Sequence, residues 1–100
     1  MAYDDKRRKR FLSGLQRCLE KTWVEKDRTN GLKDFVELTK ADFNEEDYPE
    51  LSGTIEQADL VSDIRLILEW NTPGGESRSA QLLIMVGKTL GLADPTEKTK

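Results

Sequence analysis

The chain predicts an all-α fold, a compact bundle of about five helices, and three observations predict it. Apolar residues recur three and four positions apart over long stretches, which is the spacing of a buried helical stripe. No segment alternates with the two-residue period of a half-buried strand. Glycine and proline gather at a few points between the apolar stretches, where they punctuate rather than fill. One hundred residues, 36% hydrophobic and 35% charged, suffice for one core and not for two. We therefore read residues 1–95 as a single helical domain and 96–100 as a polar tail.

The first helix is expected from about Asp4 to Val24. Phe11, Leu12, Leu15, Cys18, Leu19 and Trp23 form its stripe, and Asp4 and Asp5 suit the positive end of the helix dipole. Asp27-Arg28-Thr29-Asn30-Gly31 reads as a turn, Asn-Gly being its strongest signal. A short second helix follows from about Leu32 to Thr39. Ala41 to Leu51 is acidic and reads as irregular, with one helical turn that Pro49 would break. Thr54 is the expected N-cap of the next long helix, with Gln57 at the capping-box position. Ile55 through Leu68 make that helix apolar on more than one face, which predicts a central position, with Trp70 at its end. Asn71 to Gly75 is a stop and turn. Ser77 is the expected cap of the last helix, which runs to Leu90 and stops at Gly91.

Charge is sorted along the chain. Residues 1–40 hold 11 Lys/Arg against 7 Asp/Glu, residues 41–76 hold 1 against 10, and residues 77–100 hold 4 against 2. The net charge is −3. A basic opening helix followed by an acidic middle has the electrostatics of a head-to-tail binding module. No apolar run reaches the roughly 20 residues that span a bilayer, and the N-terminus lacks the apolar stretch of a signal peptide. Cys18 is the single cysteine, so no intrachain disulfide forms and a reducing, cytoplasmic setting is the expectation. There is no histidine. That removes the commonest general base, the commonest zinc ligand and every Ser-His or Cys-His pair. No enzyme activity, metal or cofactor is expected.

Three motifs admit both a functional and a plainer reading. Gly87-Lys88-Thr89 resembles the end of a phosphate loop, but position 82 is Leu82 where the loop needs glycine, and Leu82 to Val86 reads as helix interior. The acidic group Asp42, Glu45, Glu46, Asp47 and Glu50 lacks the central glycine and alternation of a calcium loop. The basic collar Lys6 to Arg10 wraps most of a helix circumference. It reads as a solvated helix end, as a docking surface for protein, or as a phosphate contact. The last is the alternative function, a small helical regulator of nucleic acid. The acidic remainder of the chain and the lack of interleaved aromatics weigh against it.

The sequence also resembles a family. Phe11-Leu12-Ser13-Gly14-Leu15-Gln16-Arg17-Cys18-Leu19-Glu20-Lys21-Thr22-Trp23 is similar to the opening helix of the bacterial effector-associated domains. Leu32-Lys33-Asp34-Phe35-Val36 resembles their short second helix. Leu60 to Trp70 resembles their long helix ending in a Leu-x-x-Trp-like group. Gly74-Gly75, Gln81-Leu82-Leu83 and Asp94-Pro95 resemble the turn, leucine-rich helix and tail that follow. Asn71 departs from the small residue usual after the Trp, and the turn Thr72 to Glu76 is longer than expected. The resemblance implies a death-like adaptor that recruits an effector through contacts between like domains, often in bacterial defence or signalling. It carries no catalytic residue. The docking residues expected from charge are Arg7, Arg8, Arg10 and Arg17 on one side, and Glu45, Glu46, Asp47 and Glu50 on the other. Assembly through them should weaken with salt, and reversing three of the acidic residues should abolish it without loss of helicity.

Overall fold

Asp4 sits in extended backbone and its carboxylate accepts from Arg7 N at 3.0 Å. That cap opens α1 (Asp5–Leu19), which buries Phe11, Leu15, Cys18 and Leu19 on the expected stripe. The computed structural model describes residues 3–97, so the tail residues 98–100 lie outside the described residues. After Leu19 the helix widens into a π turn, Glu20–Val24, closed by Glu25 N donating to Glu20 O at 2.9 Å. Lys26 then takes a left-handed φ of 61°, a conformation that costs a non-glycine residue energy. It reverses the chain within three residues.

The expected turn at 27–31 is instead the start of α2 (Arg28–Asp42). Asp27 is its N-cap, accepting from Asn30 N at 3.3 Å and Asn30 Nδ2 at 3.0 Å. Gly31 therefore answers to packing and not to turn geometry. It is buried, and a Cβ there would overlap Thr22 Oγ1. The glycine is what lets α2 close against the π turn.

The linker extends at Phe43 and then makes two 3-10 turns, Glu45–Asp47 and Pro49–Leu51. Thr54 caps α3 (Ile55–Ile67) as expected, accepting from Gln57 N at 3.1 Å. Gln57 Oε1 reaches back to Gly53 N at 3.0 Å, one residue earlier than in the usual capping box. The helix stops at Ile67, short of Trp70. Gly74, at φ 73°, is the N-cap of α4 (Gly75–Thr89), so Ser77 lies inside the helix and does not cap it. Gly75 is needed because a Cβ there would come within 2.7 Å of Trp70 O. At the far end Gly91 (φ 91°) donates to Lys88 O at 3.1 Å and Leu92 to Gly87 O at 2.8 Å. This is the paired closure of a Schellman cap.

The chain is thus all-helical among its described residues, with four α-helices where about five were expected. Its radius of gyration, 13.1 Å, is that of a compact domain, about 13 Å for this length. The central helix is α4, which packs against α1, α2 and α3. The expectation that α3 lies centrally is corrected: it rests chiefly on α4 and turns Ile55 and Leu66 to solvent, as does Leu68 just past its end. Phe11, Leu15, Leu32, Phe35, Ile67, Leu83 and Val86 meet in the core. Trp23 and Trp70 are half-buried at its two edges. The Trp23 indole N–H donates to Ala80 O at 3.0 Å and ties the π turn to α4.

Candidate protein-interaction surfaces

Two regions have the chemistry to engage a partner, the collar with its linker and the outer faces of α3 and α4. In the first, an aromatic ladder places the linker. Phe43 packs on Phe11 with ring centroids 5.2 Å apart, and Tyr48 stacks on Phe43 at 6.1 Å. These contacts carry the acidic linker across the N-terminal turns of α1, where the collar begins.

Opposite charges then close on one another within the chain. Arg7 donates from Nε to Asp47 Oδ2 at 2.6 Å and from Nη2 to Oδ1 at 2.8 Å. The Asp47 side chain is fully buried and also accepts from Asp4 N at 2.9 Å. Arg8 forks onto Glu50 at 3.0 and 2.7 Å, and donates to the Asp47 carbonyl at 2.9 Å. Its guanidinium lies 4.8 Å from the Tyr48 ring centroid, a cation–π distance. Arg10 reaches Asp42 at 3.1 Å. A planar guanidinium matches a carboxylate edge with two parallel bonds, which makes the first two pairs geometrically specific.

The electrostatics follow from these contacts. The Arg7 guanidinium holds the Asp47 carboxyl below the ordinary carboxylate range, and Arg8 does the same to Glu50. Asp47 and Glu50 raise the two arginines in return. Burial pushes the Tyr48 hydroxyl up to about 12 and the Cys18 thiol up to about 12. Cys18 is therefore a protonated core residue, not a nucleophile. Among the described residues no cluster of His, Cys, Asp and Glu is arranged to hold a metal ion, and no helix is long and apolar enough to cross a membrane.

Of the eight docking residues expected from charge, the structure brings Arg7 to Asp47 and Arg8 to Glu50, and Arg10 goes to Asp42 instead. Arg17, Glu45 and Glu46 are exposed. Any outside partner at Arg7, Arg8 or Asp47 must displace an internal pair. Reversing Asp47 would bury a cation against Arg7, so the expectation of unchanged helicity does not hold for that position.

The second region escaped the sequence reading. On α3, Ile55, Asp59, Ser62 and Leu66 are exposed at i, i+4, i+7 and i+11, one face of a helix. Leu60, Ile64 and Ile67 are buried on the other. Ile55 is 77% and Leu66 37% exposed. On α4 the exposed stripe is Arg78, Gln81, Met85 and Lys88, with Met85 54% exposed. Beside it runs an apolar groove floored by Trp23, Leu82, Ile84 and Met85. The signal was in the spacing. The apolar residues of α3 fall on two opposed faces, and the core covers one of them.

Burial pushes the Asp63 carboxyl up, with the Asp59 charge acting in the same direction, so α3 carries carboxylates close enough to repel. Cations brought against such a face relieve that repulsion. Comparison of the chain with family models, with curated proteins and with solved structures finds no match.

Proposed function

We propose that the chain is a non-catalytic adaptor, a death-like helical domain that couples or recruits an effector protein through contact with a like domain. The observation that carries this reading is the outer face of α3, where Ile55 is largely exposed and Leu66 about one-third exposed, beside Glu56 and Asp59. Large apolar side chains displayed on a regular, well-capped helix gain about 25 cal/mol per Å² when a partner covers them. The resemblance to effector-associated domains supports the same role, with bacterial defence or signalling as its setting. Arg17, Glu45 and Glu46 remain accessible at the edges of the collar and linker and suit a polar rim. The nucleic-acid reading has less support, because Arg7, Arg8 and Arg10 already hold carboxylates of their own chain.

The test is photo-crosslinking in the native host. A crosslinking amino acid replaces Leu66 in one strain and Ser13, exposed on α1, in another. A discrete adduct from position 66 alone, with a protein that carries a like-sized helical domain, is the expected result. An adduct with nucleic acid, or none from position 66, overturns the proposal.

A further inference from the structure

The outer faces of α3 and α4 differ in a way that makes each suited to the other. The segment 55–69 holds Glu56, Asp59, Asp63 and Glu69 against the single cation Arg65, and displays Ile55 and Leu66. The exposed stripe of α4 holds Arg78 and Lys88 with no carboxylate between them, and displays Met85 beside the groove. Asp94 lies at the groove's edge, near enough to Lys88 to feel its charge, but its carboxylate is engaged by Thr96 N at 2.8 Å and Oγ1 at 2.6 Å. One face is therefore apolar and acidic, and the other is grooved and apolar, with the exposed cations Arg78 and Lys88 set against the single carboxylate of Asp94. Neither face is covered by the described residues of its own chain.

We propose that the outer face of α3 on one copy seats on the α4 groove of a second copy, with Leu66 and Ile55 against Trp23 and Met85. Asp59 and Glu56 then approach Lys88 and Arg78. The inference rests on the adaptor reading and names its partner and contact surface. Charge sets the orientation of such a contact and the few buried apolar residues set its strength. With α3 offered to one neighbour and the α4 groove to another, the contact is heterologous and extends into a ring or an open chain. A contact built from one helix face and one groove is at the small end of specific interfaces, so association is weak and reversible.

The test uses the full chain in sedimentation velocity across a concentration series, at low salt and at about 0.5 M salt. Leu66→Lys removes the α3 face and Met85→Glu the α4 face. Both positions are exposed, and circular dichroism checks that each variant stays helical. Wild-type protein should associate at low salt and dissociate as salt rises. Each variant should weaken its own association by about tenfold or more. Mixing the two variants should yield a one-to-one dimer that grows no further, since each contributes one intact face. Three results overturn the inference: wild-type protein that stays monomeric to about 1 mM, association untouched by either substitution, or variants that remain monomeric when mixed. None of the three bears on the adaptor role itself, which the crosslink at position 66 decides separately.

Discussion

The N-terminal clamp and the C-terminal hairpin of α3 and α4 treat charge in opposite ways. In the clamp, cations of α1 and carboxylates of the linker neutralise each other over a run of packed rings. In the hairpin, acidic and basic faces stay apart, each beside apolar side chains that the core does not cover. The same sequence property, like charges clustered along the chain, therefore holds the fold together in one region and is left displayed in the other. Tertiary distance decides between them. The linker folds back within hydrogen-bond reach of the collar, whereas the outer face of α3 and the exposed stripe of α4 point away from their shared contact.

The sharpest way to break this contrast is at Asp47. Asp47→Ala removes the acceptor for Arg7 Nε and Nη2 and for Asp4 N–H. It should cost about 3 kcal/mol, the lower end for a broken buried pair, because Arg7 retains some solvent contact. The shift in the urea midpoint at constant slope measures it. Gly31→Ala comes next. Its Cβ overlaps Thr22 Oγ1 on the neighbouring turn, and overpacking of this kind costs about 2 kcal/mol. Thermal unfolding of the single variant, and of Gly31→Ala with Thr22→Ala, distinguishes it from a general loss of helix. The paired change should recover part of the loss, since alanine lacks the offending oxygen.

Acid should affect the clamp before the hairpin. Asp47 and Glu50 have folded-state pKa values below their unfolded ones. Their contribution is therefore complete above the unfolded values of about 4 and is lost as pH falls through the lowered folded values. Asp63 is raised instead, so it opposes stability near neutral pH and relaxes when it takes a proton. Stability followed from pH 6 to pH 2 should fall, and Asp47→Ala should flatten that fall. The smallest effect on stability is expected at Leu66→Lys, within about 0.5 kcal/mol of wild type. A larger loss in its urea midpoint would mean that the α3 face supports the fold and is not a surface at all.

What the sequence disclosed depended on how local each signal was. The first helix was legible to its last turn because its stripe repeats without interruption and Asp4 caps it. Thr54 and Gln57 were legible because a capping box is complete within four residues. Asn30-Gly31 misled because a glycine required by a neighbouring helix looks the same, in sequence, as a glycine required by a turn. Trp70 misled in the same manner. Its carbonyl, not its ring, fixes the start of α4 by excluding a side chain at Gly75. Charge sorting along the chain was plain, but Arg7 and its partner Asp47 lie 40 residues apart, and no local pattern announces their pairing. The two-faced apolar pattern of α3 suggests central burial, although a peripheral helix with a second, uncovered face gives the same pattern.

The π turn at Glu20–Val24 has a consequence for how this chain tolerates length changes. A turn closed by i→i+5 bonds holds one residue more than the α-helix around it. Deleting a single residue there would restore regular winding and re-aim the side chains of the turn itself, while the chain beyond it keeps nearly the same phase. Trp23 would leave Ala80 O, and Thr22 would no longer face Gly31. The extra residue decides which side of the rod the indole occupies. Shortening this segment by one should therefore disturb the domain more than lengthening the exposed turn at residues 71–74 by one.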